Sequence, residues 1–515
     1  MRFRAIALAA LMAAAMPTIE ARAAEPPAAA ALAEVRPEER VAVAEVAAHV
    51  PAYIIDATVD AGQGTIIGTL AVTFENRTGA PLDDLWFRLF PNMTYYGEGG
   101  IVVDGVTADG AVVDTVLTLE ETALGITLPT ALAPGASTSI SMAFTTTVPL
   151  GSLGSYGIFR RSTLTDTWTV ADWYPILAVH EAGGWNLSPP NGVGDPTFAE
   201  ASLYDVRLTV PAGTQIVASG VEVEVEEAEG IATHRFIAGP ARDFTMVLSS
   251  GLVTTTLEAD GVRVAVLADP AIPASVELET AAEIALRALA VFEERFGPYP
   301  YSELELVQTE LNGALAVSWA GVIFVDTDAL ARWADGQDAA SFETLIAHEV
   351  AHLWWGAVVG SDSNVHPFLN EGLATLSSML YQQDEQSPDV VAQQLERWVG
   401  TPIQTLIWRG DQIVDLPATS GDAMNSRYEA VYGKSTTGFL ALREAIGAAA
   451  FDAVLGEFAM AHRFGVFTPE DLRDAFAAAP GADPQLVETL WQRWFSETAL
   501  TEAEADAALA AFLAE

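Results

Sequence analysis

Apolar and polar positions alternate one by one along much of the first half of the chain. Runs of this kind cover residues 53–59, 65–74, 139–145 and 220–226. Because successive side chains of a strand point to opposite faces, this period predicts half-buried β-strands. Gly, Asn and Pro residues between the runs predict turns. The pattern therefore predicts an N-terminal all-β domain over residues 45–256.

The period of the apolar positions changes to that of a helix near residue 275. Spacings of three and four residues predict a helix over 276–296, and two short strands follow at 304–307 and 322–325. Further helical patterns begin near residue 341, continue to about 382, and recur at 439–446, 451–464 and 469–476. A chain of 515 residues is too long for one hydrophobic core. We therefore expect a second, mainly α domain at 257–480 and a helical segment at 481–515.

A His-Glu-x-x-His sequence occupies residues 348–352, and Glu371 follows after eighteen further residues. On a helix, His348 and His352 share one face and can bind one metal ion, while Glu349 lies beside that ion as a base. With Glu371 as third ligand, a tetrahedral zinc ion keeps one position open, as catalytic sites do. Two surface histidines on an amphipathic helix would show the same spacing, but the apolar flanks predict a buried helix, where charged groups need a partner or a metal. The motif predicts one Zn²⁺ per chain, although cobalt or manganese would suit the same ligands.

This motif, with Asn-Glu-Gly-Leu-Ala around Glu371, resembles the gluzincin metallopeptidases typified by aminopeptidase N and leukotriene hydrolase. The resemblance runs from about residue 50 to about residue 495, and rests also on Trp173-Tyr174-Pro175, 204–211, 296–301 and Tyr432-Gly433-Lys434. It implies a multidomain fold, with an all-β (saddle-like) domain before a thermolysin-like α+β, mainly α catalytic domain. It also implies that Glu349 is the catalytic base and that the hydroxyl of Tyr432 stabilises the oxyanion. Only about 35 residues follow residue 480, so the long C-terminal α-solenoid of many members is not expected.

One segment departs from the family. The Gly-x-Met-Glu-Asn sequence, whose glutamate pairs with the free amine of the substrate, falls on residues 315–319, and the glutamate position is Ser318. A serine has no charge with which to select an ammonium group. A strand over 316–325 would still bind an extended peptide through its backbone. The expected substrate-binding residues are Ala316, Val317, Ser318, Trp319 and Gly321.

This departure leaves three interpretations. Glu310 or Glu181 could replace the missing amine anchor, which would preserve an aminopeptidase. The enzyme could instead be an endopeptidase that needs no free N-terminus. The chain could also be a non-catalytic peptide-binding protein, although such a protein has no reason to keep a general base together with three ligands. We expect a secreted zinc metallopeptidase that acts on peptides and is most similar to aminopeptidases.

Two further details concern the surroundings of the motif. Metal-bound histidines usually donate their second ring N–H to an acceptor, and the family often places a glutamate for this one to two turns after the third ligand. Residues 375–378 contain no acid, so the acceptor must come from elsewhere. The chain has a single lysine, Lys434, two residues after Tyr432. It could hold acidic groups in place or steer the tyrosine.

The N-terminus has the pattern of a targeting segment. Arg2 and Arg4 precede a short apolar run over 5–16, and residues 21–23 form a small-x-small cleavage site. The pattern predicts a signal peptide at 1–23, an Ala/Pro/Glu-rich mobile linker at 24–44, and export to the periplasm or the extracellular space. The chain has no cysteine, which excludes disulfides, thiolate metal ligands and a lipid-anchored start.

The charge of the chain is extreme, with a formal net value of −45 at pH 7. Such a field repels nucleic acid and anionic membranes and favours cationic substrates. Beyond the N-terminus, no stretch of the sequence is long and apolar enough to span a bilayer. We therefore expect peptide substrates, no nucleic-acid partner and no stable membrane insertion. The sequence does not predict an oligomeric state.

Overall fold

A computed structural model describes residues 32–152, 154–188, 197–270, 275–334, 339–416 and 427–515. The predicted signal peptide, residues 1–23, lies outside the described residues, as do residues 24–31 of the predicted linker. Within the described part of the chain, no helix combines the length and the hydropathy that a membrane crossing requires.

The first part of the chain is built from strands, as predicted. In chain order they are β1 (Ala52–Asp60), β2 (Thr65–Glu75), β3 (Leu82–Arg88), β4 (Gly100–Ala108), β5 (Ala111–Val112), β6 (Thr115–Thr118), β7 (Ala123–Leu132), β8 (Ser137–Thr147), β9 (Phe159–Arg161), β10 (Trp168–Val170), β11 (Ile176–Leu177), β12 (His180–Glu181), β13 (Gly184–Trp185), β14 (Ser202–Pro211), β15 (Gln215–Ala218), β16 (Val221–Ala228), β17 (Ile231–Ala241) and β18 (Met246–Ser249). The largest sheet has the order β16-β17-β14-β1-β2-β8-β4-β5. Two four-stranded sheets follow the orders β15-β18-β10-β9 and β11-β3-β7-β6, and β12 pairs with β13.

Burial along the strands follows the alternation in the sequence. In β8, Ile140, Met142 and Phe144 are buried, while the residues between them are partly exposed. At the edge of the large sheet, β16 carries glutamates along an exposed strand. Charged side chains on an edge strand disfavour pairing with another chain. The two-residue period thus predicts β8 together with the face that it buries. It predicts β16 as a strand too, but not its burial, because Val223 and Val225 are exposed there.

A second sheet belongs to residues 253–515, the part of the molecule that contains the His-Glu-x-x-His motif; we call this part the catalytic half, after the role that the resemblance predicts for it. Its strands are β19 (Val253–Ala259), β20 (Val262–Ala268), β21 (Glu303–Thr309), β22 (Ala316–Trp319) and β23 (Val322–Asp326), in the order β19-β20-β21-β23-β22. The predicted domain boundary after residue 256 falls inside β19, so this sheet begins earlier in the chain. The strand predicted over 316–325 is a hairpin, because Gly321, with φ of +77°, turns the chain between β22 and β23.

Helices complete the catalytic half. After α1 (Arg40–Ala47), which precedes the strands, the described α-helices are α2 (Ser275–Phe296), α3 (Thr327–Ala334), α4 (Ala339–Ala351), α5 (Pro367–Glu385), α6 (Pro388–Leu395), α7 (Thr401–Arg409), α8 (Ser435–Ile446), α9 (Ala448–Ala461), α10 (Pro469–Ala477), α11 (Pro484–Trp491) and α12 (Glu502–Leu513). Both α11 and α12 pack against α8, so the residues after 480 are part of the catalytic half. The described helices form no solenoid. An all-β region followed by a mainly helical one confirms the predicted fold class.

Residues 32–47 form a strap, which differs from the mobile linker predicted at 24–44. Val35 is fully buried and pairs with Tyr301, and the backbone N–H of Gly239 donates to the buried carboxylate of Glu34 at 2.8 Å. Arg36 donates to the backbone oxygen of Asp260 at 2.9 Å. Glu34 thus contacts the β-domain, while Val35 and Arg36 contact the catalytic half. The alanines and prolines of this region suggested mobility, but its apolar residues find partners distant in sequence.

The strap provides a test by pH. Burial raises the pKa of Glu34 to about 8, although the N–H of Gly239 opposes the shift, and Glu303 adds to it. The pKa of Glu34 is higher in the folded state than in the unfolded state. The neutral carboxyl therefore contributes its full stability at pH values below the unfolded pKa of 4.5, and this contribution is lost as the pH rises through 8. The variant Glu34→Gln stays neutral at every pH. We expect its melting temperature, relative to that of the unsubstituted protein, to be higher at about pH 9 than at about pH 6. Melting temperatures at both pH values measure this, and a constant difference would contradict it.

Candidate active site

Two buried helices carry the motif. The residues of α4 from Ser341 to Ala351 are buried except Glu343, and His352 lies just beyond its last turn, still bonded through its N–H to the backbone oxygen of His348 at 3.2 Å. Glu371 lies in the first turns of α5, which packs against α4. The spacing of four residues places both imidazoles on one side of α4, and the packing brings the third side chain to them. The structure thus brings the three predicted ligands together.

The three ligand atoms form a compact triangle. The Nε2 atoms of His348 and His352 are 3.0 Å apart, and Oε2 of Glu371 is 3.4 Å from the first and 3.3 Å from the second. Zinc bonds of about 2.0–2.1 Å at tetrahedral angles place donors roughly 3.3 Å apart. All three side chains are nearly inaccessible to solvent. Donor type, spacing and burial therefore fit one Zn²⁺, and among the described residues this is the single cluster of its kind.

The electrostatics of the triad agree with a cation at its centre. Burial lowers the pKa of His352, but the Glu371 carboxylate outweighs this and raises it to about 10. Burial likewise opposes ionisation of Glu371, yet His352 and His348 hold its pKa well below the usual range. A carboxylate that is buried and still ionised needs a positive partner, so it is either a metal ligand or one half of an ion pair. A bound cation would displace the proton from His352, which couples metal affinity to pH.

The second nitrogen of each histidine has an oxygen acceptor, although residues 375–378 contain no acid. Nδ1 of His352 lies 2.7 Å from Oδ1 of Asn370 and 3.1 Å from the backbone oxygen of Trp355. Nδ1 of His348 lies 3.4 Å from the hydroxyl oxygen of Thr375, whose own proton goes to the backbone oxygen of Glu371. These contacts orient both rings with Nε2 toward the third ligand. The acceptors that the sequence alone did not identify are therefore Asn370 for the ring of His352 and Thr375 for the ring of His348.

Asn370 offers a test of this arrangement. We expect Asn370→Ala to weaken zinc binding by about 10–100-fold, because the His352 ring loses the nearer of its two acceptors and keeps only the backbone oxygen of Trp355. Competition with a chromophoric chelator measures the affinity directly and needs no turnover. Ser377→Ala is the matched control, since Ser377 lies on the same helix and contacts Trp355 instead of a ligand. Equal affinities for the two variants would contradict the role of Asn370.

Glu349 points from α4 toward the edge strand β22. Its side chain is buried, and its Oε2 accepts a hydrogen bond from the hydroxyl of Ser318 at 2.6 Å. Burial raises the pKa of Glu349, while His348, His352 and the Ser318 hydroxyl lower it. The residue at the expected amine-anchor position therefore contacts the expected general base. Sequence reasoning compared Ser318 only with the substrate and missed this contact.

Tyr432 lies close to the triad. It belongs to a π-helical turn, Glu429–Lys434, and its ring centre is 6.1 Å from that of His348. Tyr428 stacks on it at 4.4 Å. Directly after this turn, α8 packs closely on α5, which Gly372 allows, since a Cβ at Gly372 would meet the Ser435 hydroxyl at 2.4 Å. Burial and the nearby Glu371 raise the pKa of Tyr432 well above its usual value, so its hydroxyl remains a hydrogen-bond donor.

Lys434 anchors this turn from behind. Its side chain is fully buried, and the ammonium group donates to Oδ1 of Asp411 and to the backbone oxygens of Gln412 and Glu497, each at 2.8 Å. Burial lowers the pKa of Lys434, and Asp411 opposes the shift. All three donors are thus used. The lysine is structural, and it joins the Tyr432 turn to the C-terminal part of the chain.

A cleft of about 520 Å³ opens over the triad and is lined from both domains. Of the predicted substrate-binding residues, Ala316, Val317, Ser318 and Trp319 line it. Gly321 faces the strap instead, because a Cβ there would lie 3.5 Å from Oε1 of Glu34. The lining residues that the sequence did not predict include Tyr156, Thr197, Arg242, Asp243, Leu345, Trp398 and Tyr428.

Neither predicted amine anchor is a lining residue of this cleft. Glu310 forms an ion pair with Arg160 at 2.7 Å and accepts a hydrogen bond from Ser162, beside a second, smaller cavity. Glu181 is exposed on β12 and accepts from Asn186. Among the described lining residues, the carboxylates are Glu349, Glu371 and Asp243. Asp243 comes from the β-domain, and no motif in the sequence singles it out.

Comparisons with known proteins agree with this geometry. Residues 280–494 match the peptidase family M1 domain. Aminopeptidase 2 of Candida albicans is 26% identical over 224 residues, which cover 42% of this chain and 24% of that protein. Aminopeptidase M1-A of Oryza sativa subsp. japonica is 26% identical over 317 residues, 58% of this chain and 34% of that protein. The chain thus spans about a quarter to a third of the length of these relatives.

The fold has a solved counterpart of similar size. An M1 zinc metallopeptidase from Deinococcus radiodurans superposes with a TM-score of 0.63 at 20% identity, covering 88% of this chain and 94% of that one. Both halves of the fold are therefore shared with a known metallopeptidase. The M1 domain match, the aminopeptidase relatives and the His348-His352-Glu371 triad together support an aminopeptidase N-like gluzincin family for this chain, with a site for one Zn²⁺.

Proposed function

We propose that this protein is a zinc-dependent peptidase that hydrolyses peptide bonds with Glu349 as general base. The observation that carries the proposal is the buried carboxylate of Glu349, which lies next to the metal triad in a cleft large enough for a peptide. When bound, zinc polarises the scissile carbonyl and lowers the pKa of a water molecule to near neutrality. The chain's own residues supply the remaining chemistry.

Each of these residues has one task. Glu349 takes a proton from the attacking water and returns it to the leaving amine. Tyr432 donates a hydrogen bond to the oxygen that becomes negative as the carbonyl is attacked. The free edge of β22, which pairs on one side only with β23, supports binding of an extended substrate backbone. The aromatic rings of Trp398 and Tyr428 line the same cleft and favour apolar side chains.

Tyr432→Phe tests the second of these tasks. We expect kcat to fall by about a hundredfold, because one hydrogen bond to the developing oxyanion is lost from a site that excludes water. The stack on Tyr428 keeps the ring in place, so KM and zinc content should change little. Steady-state kinetics with metal analysis measures all three. An unchanged kcat would remove Tyr432 from the mechanism.

The requirement for a free N-terminus separates two candidate activities. An aminopeptidase-like activity is supported by the relatives, which are aminopeptidases by name. An activity indifferent to the N-terminus is supported by Ser318, an uncharged residue whose hydroxyl is bonded to Glu349. Asp243 is the one carboxylate of the described lining outside the triad and the base, and it is the anchor we propose for the first activity.

One experiment separates these activities. A single peptide sequence with a free and with an acetylated N-terminus is incubated with and without a chelator, and the products are identified by mass spectrometry. Chelator-sensitive removal of single residues from the free peptide alone would establish the aminopeptidase, and loss of this selectivity in Asp243→Asn would identify the anchor. Internal cleavage of both peptides would establish an endopeptidase. Cleavage of neither peptide by zinc-loaded protein would favour peptide binding without catalysis.

We also propose that the protein is exported. The support is the order of two arginines, a short apolar run and a small-x-small site within residues 1–23. The measurement is the N-terminal sequence of the protein recovered outside the cytoplasm, with residue 24 expected first. A cytoplasmic product that retains residue 1 would refute export.

A further inference from the structure

The contact between Ser318 and Glu349 has a defined geometry. The Ser318 hydroxyl lies 2.6 Å from Oε2 of Glu349 and 3.0 Å from the backbone oxygen of the same residue. A hydroxyl has one proton, and the charged oxygen is the stronger acceptor. We propose that Ser318 is a positioning residue, which holds the Glu349 carboxylate in the orientation that proton transfer requires. This inference rests on the proposed peptidase function.

The strand that carries Ser318 is itself well fixed. All four residues of β22 are in register with β23, and Ser318 pairs with Ile323. The next residue, Trp319, is buried and packs on Phe324 with ring centres 4.4 Å apart. A serine on such a strand has a single side-chain torsion to fix before its hydroxyl reaches the carboxylate. The hydroxyl is thus a rigid support for the flexible side chain of Glu349.

The orientation matters because a glutamate has three side-chain torsions. The bond to Ser318 holds Oε2, which assigns the transfer of the proton to Oε1. Without the hydroxyl, Oε2 loses the hydrogen bond that fixes it, and the carboxylate can rotate about these torsions. Proton transfer requires a distance near 3 Å, so a small rotation of the base lowers the rate without changing how substrate binds.

The same contact links substrate binding to the base. An extended peptide would lie along the edge strand β22. The side chain of Ser318 on this strand is hydrogen-bonded to Glu349 and does not bind a substrate amine. A shift of β22 on peptide binding would therefore move the base together with the substrate. A serine at position 318 offers no negative charge to a substrate ammonium group. Its hydroxyl instead donates a hydrogen bond to the general base, Glu349.

Kinetics of three variants test the proposal. We expect Ser318→Ala to lower kcat about tenfold, with KM within about twofold and zinc content unchanged. Ser318→Thr keeps the hydroxyl and should restore kcat to within about threefold of the unsubstituted enzyme. Ser341→Ala is the matched control, because Ser341 lies on the same helix as Glu349 but donates to Gln394 at 3.2 Å, away from the cleft.

The outcomes distinguish this inference from the function on which it rests. An unchanged kcat in Ser318→Ala, a change confined to KM, or equal losses in the alanine and threonine variants would overturn it while the peptidase stands. If the unsubstituted protein hydrolyses no peptide, the proposed function fails. The inference is then decided by crystal structures of the zinc-loaded unsubstituted protein and of zinc-loaded Ser318→Ala. A Glu349 side chain that keeps its position without the hydroxyl would refute it, and one that rotates or disorders would support it.

Discussion

Replacing Glu349 by glutamine is expected to leave zinc bound and to reduce kcat by about a thousandfold. The amide has nearly the same shape as the carboxylate and can still accept a hydrogen bond from Ser318, so the site should keep its geometry. It cannot take a proton from water, which removes general base catalysis altogether. Zinc stoichiometry by mass spectrometry and turnover of the free and acetylated peptides measure the two effects separately.

The control for this variant is Glu343→Gln, on the same helix. Glu343 accepts hydrogen bonds from Tyr381, Gln386 and Arg287 and does not line the cleft. Its replacement removes one negative charge from α4 and should lower thermal stability while kcat stays near its original value. If Glu349→Gln remains as active as this control, Glu349 is not the base and the proposed mechanism is wrong.

Lys434→Met is expected to destabilise the fold by about 3–5 kcal/mol, the cost of leaving a buried charge without its partner. The substitution removes the ammonium group and leaves the carboxylate of Asp411 buried, since that side chain is only 6% exposed. The backbone oxygens of Gln412 and Glu497 also lose their donor. Because the lysine is the last residue of the turn that carries Tyr432, kcat should fall as well. Denaturant unfolding measures the stability.

Two comparisons give this prediction its specificity. Lys434→Met combined with Asp411→Asn removes the orphaned charge and should recover part of the lost stability. Arg473→Met breaks a surface ion pair with Asp474 and should cost no more than about 1 kcal/mol. A loss in Lys434→Met as small as that in Arg473→Met would show that the buried ammonium group is not needed.

The zinc triad was predictable because its spacing is governed by local geometry. His348 and His352 lie one helical turn apart, and this alone fixes their common direction. Period-two and helical patterns predicted the order of the two halves of the fold for the same reason. The hairpin at β22 and β23 was missed because the apolar residues of both strands form one nearly continuous run, and only the positive φ of Gly321 marks the turn.

The remaining parts of the site depend on contacts between distant segments. Asn370 and Thr375 could be identified as acceptors only after α5 was packed on α4, and Asp243 enters the cleft from the β-domain. Glu310 was the nearest glutamate upstream of Ser318, but Arg160 from another strand holds it elsewhere. The strap had the composition of a linker, and its burial depends on Gly239 and Tyr301, more than 200 residues away.

The strap also constrains the order in which the chain can fold. Glu34 reaches Gly239 across 205 residues, Arg36 reaches Glu293 across 257, and Glu39 pairs with Arg463 across 424. The strap therefore completes these contacts only after residue 463 has been synthesised. Contacts of such long range slow folding, since the intervening chain must be ordered before they form. Until residue 463 is available, the strap lacks one of the partners that hold it, so its docking is completed late in the assembly of the two halves.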